Sequence, residues 1–393
     1  MDSKEIRRQN QNLKELIFTL ADGKEWKESW DLTAACIEKL EKDPRFAQIH
    51  TVYLVGHGTS LASARTAEVW LGHIAKVHAH TMPAYHFLQR IDDYLHDPIH
   101  TMVLGYSTGG NTESVIGSVA EAGKRGALAI GMAGEKESEL ACAGTHRIIS
   151  SVDKDDAAAA GKEFGGGYSV SHIYAMLASF ELALALGKAG GTLDAAGVEE
   201  WKAKLAEVIQ IFSENMGKIF DKMMDVSREL AATGARNFVV IGAGPNAGTV
   251  AEGALKICEY CWDFGAAEDL EDLHHGRFRE LDDGHIIFIV APGEKDYHKS
   301  MDILVGAQYS RSPTVVFTAH PTAAMEKLST AVVRMPEMEE YLTPFFYILP
   351  LWFYGFARAD MDGALVGEKR YGLFARDINF QRYCNELKKI FEL

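Results

Sequence analysis

Short apolar runs alternate with helical stretches from residue 51 onward. In the first half of the chain, four runs with the length of β-strands lie at 51–55, 101–105, 127–131 and 146–150. The segments between them, such as 61–75 and 113–124, have the character of helices. Because strands and helices alternate at this spacing, the pattern predicts βαβ units and a parallel sheet covered by helices on both faces.

The pattern restarts at Asn237. Residues 238–246 (FVVIGAGPN) repeat the arrangement of residues 52–60 (VYLVGHGTS), in which an apolar strand runs into a glycine turn. Further strands are indicated near 286–290, 314–318 and 331–334. We therefore predict an internal duplication of the α/β class, with two doubly wound parallel-sheet subdomains in tandem.

Helical patterns flank and join the two repeats. Residues 1–48 carry an apolar stripe, and a glycine-rich stretch at 187–197 precedes a charged amphipathic segment at 198–230. An aromatic run at 341–356 is too short to span a membrane comfortably and contains two prolines, so it predicts a buried helix. The predicted divisions are a helical segment (1–48), a first α/β domain (49–188), a linker and bridging helix (189–235), a second α/β domain (236–345) and a C-terminal helix and tail (346–393).

Composition limits the classes of partner and the compartment. The chain has 393 residues, with 55 acidic and 40 basic side chains and a formal net charge of −15, which disfavours nucleic acid and anionic membranes as partners. Five scattered cysteines favour reduced thiols, and the charged N-terminus argues against a signal peptide, so we expect a cytoplasmic protein. Cys258 and Cys261 have metal-ligand spacing, but without a second pair they are expected to pack in the core.

Two turns rich in hydroxyls and glycines follow neighbouring strands. Residues 56–60 (GHGTS) end the first strand, and residues 107–112 (STGGNT) end the next one and open a helix. Glycines allow close backbone approach, and the free N–H groups of a helix start attract an anion such as phosphate. The alternative is a pair of ordinary βα turns with capping residues.

These turns resemble the phosphate-side signatures of the sugar isomerase (SIS) family of phosphosugar-binding domains. Gly58, Thr59 and Ser60 match the first signature in full. The second is matched by Ser107, Gly110 and Thr112, while Gly109 replaces a serine for which Thr108 is the candidate substitute; Asn111 lies in the same turn. The resemblance implies flavodoxin-like SIS subdomains and a phosphate-binding role for these residues.

A second group of candidate residues lies in the later repeat. Glu252, Lys256 and Glu259 are spaced i, i+4 and i+7, so a helix places all three on one face. His275 follows sixteen residues after Glu259, in the sequence EDLHHG. From spacing alone, a solvated charged stripe and a surface histidine turn remain the simpler interpretation.

These motifs are similar to the isomerase half of glucosamine-6-phosphate synthase. The resemblance implies that Glu259 is the proton-shuttling base and that His275 assists sugar ring opening. It also places Lys369, or Arg370 beside it, near the open-chain sugar. Residues 162–171 occupy the place of a substrate loop, where Glu163 and Ser169 are candidate contacts.

Two features limit the ligands that the second repeat is expected to bind. The turn at 242–248 lacks the third glycine at the spacing of a dinucleotide fingerprint, and no acidic residue follows at the expected interval, so a nicotinamide or flavin cofactor is not expected. Residues 291–295 (APGEK) contain no hydroxyl, so phosphate binding is expected in the first repeat only.

The leading hypothesis is a sugar-phosphate enzyme of this family without cofactor or metal. It would interconvert the aldose and ketose forms of a hexose or amino-hexose 6-phosphate through a cis-enediol. No glutamine-hydrolysing domain is expected ahead of it, and by analogy with the family we expect a homodimer or a dimer of dimers. The alternatives are a fructosamine-6-phosphate deglycase, a sugar-phosphate sensor without catalysis, and an isomerase of a sulfonated sugar.

Overall fold

A computed structural model describes residues 3–150, 169–366 and 389 of the chain. Two helices precede the first strand, α1 (Ser3–Phe18) and α2 (Lys24–Leu40). They are separated by Gly23, whose φ of 73° ends the first helical segment in the left-handed conformation that glycine adopts most easily. The predicted N-terminal helical extension is therefore confirmed.

The first sheet is parallel, with strand order β2-β1-β3-β4-β5. Its strands are β1 (Thr51–Gly56), β2 (His78–Pro83), β3 (Thr101–Tyr106), β4 (Leu128–Ala133) and β5 (His146–Ile149). The helices among them are α3 (Gly58–Trp70), α4 (Ala84–Gln89), α5 (Ile91–Tyr94), α6 (Glu113–Lys124) and α7 (Glu139–Ala143).

Two long helices connect the sheets, α8 (Ser169–Ala189) and α9 (Ala195–Thr233). Within the described part of the chain, α8 is the one helix long and apolar enough to cross a membrane, and 94% of that apolar window is buried inside the protein. This burial is what the central helix of a packed core requires. The side chain of Asp194 caps α9 by accepting a hydrogen bond from the Gly197 amide.

The second sheet repeats the topology of the first, with order β7-β6-β8-β9-β10 and all neighbours parallel. Its strands are β6 (Asn237–Gly242), β7 (Gly265–Asp269), β8 (His285–Val290), β9 (Thr314–Thr318) and β10 (Ala331–Arg334). Its helices are α10 (Ala247–Cys261), α11 (Tyr297–Ser310), α12 (Ala323–Leu328), α13 (Thr343–Tyr347) and α14 (Leu349–Asp362). The predicted fold class, a tandem of doubly wound parallel sheets with helical extensions, is confirmed.

The sequence analysis missed one strand in each sheet, β2 and β7. Both lie at a sheet edge, β2 next to β1 and β7 next to β6. Neither has an apolar run: β2 reads HAHTMP and β7 reads GAAED, and their residues are mostly half-buried or exposed. An edge strand is held by backbone hydrogen bonds to one neighbour and needs no continuous apolar face, so hydrophobic patterning gives little signal for it.

One apolar core extends through both halves. It includes Leu54 of the first sheet, Phe288 of the second, Phe180 of α8 and Trp352 of α14. The aromatic run at 341–356 forms α13 and most of α14, both buried, as expected for a core element. Cys261 is buried, and its thiol donates to the Ile257 carbonyl at 3.0 Å.

Candidate functional site

The two hydroxyl turns lie together at the carboxyl edge of the first sheet. Strands β1 and β3 are hydrogen-bonded neighbours, and the strand order reverses between them. Helix α3 begins at Gly58 in the first turn, and α6 begins just after Thr112 in the second. In open α/β sheets the ligand crevice forms at this reversal point, with helix N-termini directed at it.

The second turn has a compact internal structure. The Ser107 and Thr112 hydroxyl oxygens are 3.0 Å apart, so one hydroxyl donates to the other across the turn. Gly110 lies between them with φ 63°, and its amide donates to the Ser107 carbonyl at 3.0 Å. A Cβ atom on Gly110 would lie 2.2 Å from Ser138 Oγ, so both the backbone conformation and the available space require glycine.

The two turns are tied to one another. His57 Nε2 lies 2.9 Å from Ser114 Oγ, which joins the residue before α3 to the first turn of α6. Burial lowers the pKa of His57.

The outer part of the second turn is held by a backbone hydrogen bond. The Thr108 carbonyl accepts from the Gly134 amide at 2.9 Å, while the Asn111 side chain is exposed. The structure therefore brings the two turns together at one edge of the sheet, and they contain Gly58, Thr59, Ser60, Ser107, Thr108, Gly110 and Thr112.

Helix α10 carries the three charged residues on one face, as their spacing predicts. Lys256 is buried and donates to Glu259 Oε2 at 2.7 Å, and its ammonium lies 3.8 Å from Glu252 Oε1. The Glu252 side chain is 0% exposed, whereas that of Glu259 is 41% exposed. The charged stripe is thus not a solvated surface: one end is sealed inside the protein and the other end opens to solvent.

Burial and the attraction between Glu252 and Lys256 act against each other on the pKa of each group. Burial raises the pKa of Glu252, the Lys256 ammonium opposes that rise, and the charge of Glu259 adds to it. Burial alone would lower the pKa of Lys256, but Glu252 and Glu259 outweigh it and raise the pKa above the ordinary lysine value. Lys256 therefore stays cationic between two carboxyl groups.

The crossing of α3 and α10 brings the two motifs together. A Cβ atom on Gly248, at the start of α10, would lie 2.2 Å from Thr66 Oγ1, near the end of α3. At the other end of the contact, Gly58 faces Leu255 at 3.6 Å. The helices are therefore antiparallel and closely packed, and the Thr59 hydroxyl at the start of α3 acts on Glu252, lowering its pKa against the effect of burial.

His172 is a buried polar residue of this cluster that sequence reasoning missed. Its Nδ1 lies 2.8 Å from Ser63 Oγ, and the Ser63 hydroxyl is also 3.2 Å from the Thr59 carbonyl. Burial, assisted by the nearby Lys256 charge, lowers the pKa of His172 to about 3, so the ring is neutral at neutral pH. Because His172 is a histidine within the apolar helix α8, its sequence context does not predict these contacts.

The remaining predicted site residues lie in different surroundings. Ser169 is buried at the start of α8, and its hydroxyl is hydrogen-bonded to the Tyr260 hydroxyl of α10, so it joins two helices. His275 ends a short turn after β7, is 68% exposed, and has Nε2 3.4 Å from Glu271 Oε1. Glu163, Lys369 and Arg370 lie outside the described residues.

A second crevice lies at the carboxyl edge of the second sheet. It is a cavity of about 150 Å³ bordered by residues that follow β8, β9 and β10. Its lining consists of Pro292, Gly293, Ala319, His320, Glu337, Met338, Glu340, Thr343 and Tyr347. Glu340 is paired with Lys295 at 2.7 Å. The second crevice thus lies beside strands β8 to β10 rather than at the β6–β8 reversal that corresponds to the hydroxyl turns, and it contains two glutamates.

Comparison with known proteins identifies the type of domain. The sequence pattern of the SIS domain matches residues 45–186. The chain is 25% identical over 328 residues to the glutamine–fructose-6-phosphate aminotransferase [isomerizing] of Pseudomonas putida, a match that covers 83% of this chain and 51% of that protein. The chain spans about half the length of the curated relatives it matches.

Solved structures share the whole architecture. The C-terminal domain of glucosamine-fructose-6-phosphate aminotransferase from Francisella tularensis superimposes with a TM-score of 0.75 at 17% identity, covering 89% of this chain and 97% of that one. Tagatose-6-phosphate ketose/aldose isomerase from Escherichia coli gives a TM-score of 0.64 at 14% identity, with 93% of each chain covered. At these identities the likeness establishes the fold.

Proposed function

Because this chain contains a SIS domain and has the tandem SIS fold, we propose that it processes a phosphosugar by aldose–ketose isomerisation of a hexose or amino-hexose 6-phosphate. The observation that supports this most directly is the buried cluster at the α3–α10 contact. There Thr59, from the first hydroxyl turn, interacts with Glu252, and Glu252 lies 3.8 Å from the Lys256 ammonium that binds Glu259. One molecule with an anionic end and a carbonyl end fits both parts.

The first repeat binds the charged end of the substrate. The Ser107–Thr112 pair leaves one hydroxyl donor for a ligand, and the N-termini of α3 and α6 offer free backbone amides and the positive ends of helix dipoles. The closed shape of the second turn keeps these donors in place before the ligand arrives. Because the formal net charge of −15 repels anions in bulk, binding of an anion depends on this local concentration of donors.

Glu259 carries out the proton transfer on carbon. Its carboxylate takes a proton from the carbon beside the carbonyl, which leaves an enediol, and returns the proton to the former carbonyl carbon. Lys256 orients that carboxylate through the 2.7 Å hydrogen bond. Glu252, sealed from solvent, holds Lys256 from the other side. Of the two carboxyl groups, the partly exposed Glu259 is the one that can meet a substrate.

A second copy of the chain supplies the group that moves protons between the oxygens and opens the ring. His275 is exposed on its turn, and its ring nitrogen lies near Glu271 rather than near α10. An exposed histidine on one copy can complete a half-open site on another, which fits the dimer that the family resemblance implies. The site would then be shared between subunits.

Exchange of a substrate proton with solvent tests this proposal. Hexose 6-phosphates and amino-hexose 6-phosphates are incubated in deuterated water, and deuterium entry beside the carbonyl is followed by NMR. Glu259→Gln should slow exchange by about 10²–10⁴-fold, the usual contribution of one positioned proton-transfer group.

Glu340→Gln is the matched control. It removes a carboxylate that is also held by a lysine at 2.7 Å and is 36% exposed, but in the other crevice. Exchange should stay at the wild-type rate in this variant. Equal rates in the wild type and in Glu259→Gln would refute the proton-transfer role, and release of free amine from a fructosamine 6-phosphate would redirect the assignment to a deglycase.

A further inference from the structure

Three side chains with metal-binding donors meet at the amino edge of the first sheet. His50 precedes β1, and Asp97 and His100 precede β3. Their candidate ligand atoms all lie within 4.8 Å of one another, and this is the one such group of three found in residues 3–150 and 169–366. The two imidazole rings are stacked with centroids 4.6 Å apart, and His100 Nδ1 lies 2.8 Å from Asp97 Oδ2.

The backbone holds these residues in place. The His50 amide donates to the His100 carbonyl at 3.1 Å, and the His50 carbonyl accepts from the His78 amide of β2 at 2.7 Å. The Thr101 side chain, which is buried, donates to the Asp97 carbonyl at 2.6 Å. The three positions are thus fixed by the sheet itself, so binding of an ion would order little more than side-chain rotamers.

The donor set indicates the class of ion. Two imidazoles and one carboxylate suit zinc and neighbouring transition metals, whereas Mg²⁺ and Ca²⁺ prefer sites built from oxygen atoms. A carboxylate that binds the other ring nitrogen of a ligand histidine also fixes its orientation. We propose that His50, Asp97 and His100 form a binding site for a divalent transition-metal ion of the zinc type.

This site is separate from the proposed reaction. The anion turns follow the last residue of β1, and His50 precedes its first residue; the six residues of β1 at about 3.3 Å each separate the two ends by roughly 20 Å. A bound ion would join the loop before β3 to the start of β1. Its effect is therefore expected on stability rather than on turnover.

The second sheet offers an internal control. Asp282 and His285 form a similar pair at the start of β8, with His285 Nδ1 2.7 Å from Asp282 Oδ1. The residue before β6 is Arg236 instead of a histidine, and its guanidinium is bound to Asp263 at 2.7 Å. This second pair lacks a third metal donor of the same kind, so it should not bind the ion with comparable strength.

Calorimetric titration of the full chain with Zn²⁺ in chelator-treated buffer tests the proposal. The wild type should bind one ion per chain more tightly than any further ions. The double variant His50→Ala/His100→Ala should lose that tight site. Asp97→Asn, which keeps the side-chain shape, should weaken it about 10–100-fold. His285→Ala should bind as the wild type does.

Thermal unfolding gives a second readout. Zn²⁺ should raise the midpoint temperature of the wild type and of His285→Ala, but not that of the double variant, because an ion that binds only the folded state stabilises it. The exposed position of the replaced side chains allows the metal-free variants to be compared at equal folding. Equal Zn²⁺ affinity in the wild type and the double variant, or no tight site in the wild type, would overturn the proposal without bearing on the isomerase proposal.

Discussion

The two halves of this protein have the same sheet topology but different side chains at the carboxyl edges of their sheets. At the first sheet the loops present hydroxyls and helix N-termini. At the second sheet the crevice contains Glu337 and Glu340, and burial, with the nearby Glu340 charge, raises the pKa of Asp296 to about 6. The repeated topology therefore does not fix the chemistry at the carboxyl edge, which depends on the side chains of the loops.

The first helices of the two repeats, α3 and α10, also differ in use. Helix α3 contributes its N-terminus to the anion turn, while α10 contributes a charged face farther along its length. Because they cross antiparallel, the start of α3 meets the later part of α10. Under the proposed function, the duplicated unit is thus divided between binding and chemistry.

The largest difference in the free energy of unfolding is expected between variants that break the two glutamate–lysine pairs. Lys256→Met leaves the buried Glu252 without its cation and should reduce the free energy of unfolding by about 3–5 kcal/mol. Lys295→Met breaks an exposed pair of the other crevice and should cost only about 0–1 kcal/mol. Urea unfolding of both variants measures the difference, and equal losses would contradict the sealed environment of Lys256.

A smaller effect is expected from removing one hydroxyl of the anion turn. Ser107→Ala should raise KM for the sugar phosphate about 10–100-fold, since a hydrogen bond to a charged group is worth about 1.5–3 kcal/mol. Glu337→Gln in the second crevice should leave KM unchanged. A rise in affinity in Glu337→Gln together with an unchanged KM in Ser107→Ala would show that the anion binds at the second sheet.

The acidic surroundings of the second crevice should make the stability of the protein depend on pH. The pKa of Asp296 is raised from 3.8 to about 6, so the folded state holds a proton that the unfolded state releases between these values, and stability falls as pH rises through this window. Asp296→Asn removes this loss. It should gain about 1–2 kcal/mol over the wild type at pH 8 and much less at pH 4, measured by urea unfolding.

The smallest difference in the free energy of unfolding is expected between alanine substitutions at two glycines. Gly110 and Gly244 both have positive φ in turns at the carboxyl edges of the sheets, but a Cβ atom on Gly110 meets Ser138 whereas nothing lies within 4 Å of one on Gly244. Gly244→Ala should cost about 1 kcal/mol for backbone strain, and Gly110→Ala about 1–2 kcal/mol more. Chemical denaturation of both variants tests whether the first turn is the tighter one.

Local sequence signals were sufficient for much of the site. The hydroxyl turns at 56–60 and 107–112 lie where strand–turn–helix patterning predicts, and the i, i+4, i+7 spacing placed Glu252, Lys256 and Glu259 on one helix face. Spacing alone favoured a solvated stripe for these three residues, and this interpretation was wrong for Glu252 and Lys256. Helical periodicity defines a face but not what packs against it.

The sequence by itself determined the repeated strand–helix order, the tandem parallel sheets and the residues at the ends of the strands, because periodicity and turn chemistry are local properties of the chain. Only the tertiary structure decided that Thr59 faces Glu252, that His172 bonds to Ser63, and that Glu259 alone of the three α10 residues on that face opens to solvent. These contacts join residues more than 100 positions apart. The Thr59–Glu252 contact depends on how closely α3 and α10 pack through Gly248, and no pattern within either segment specifies that distance.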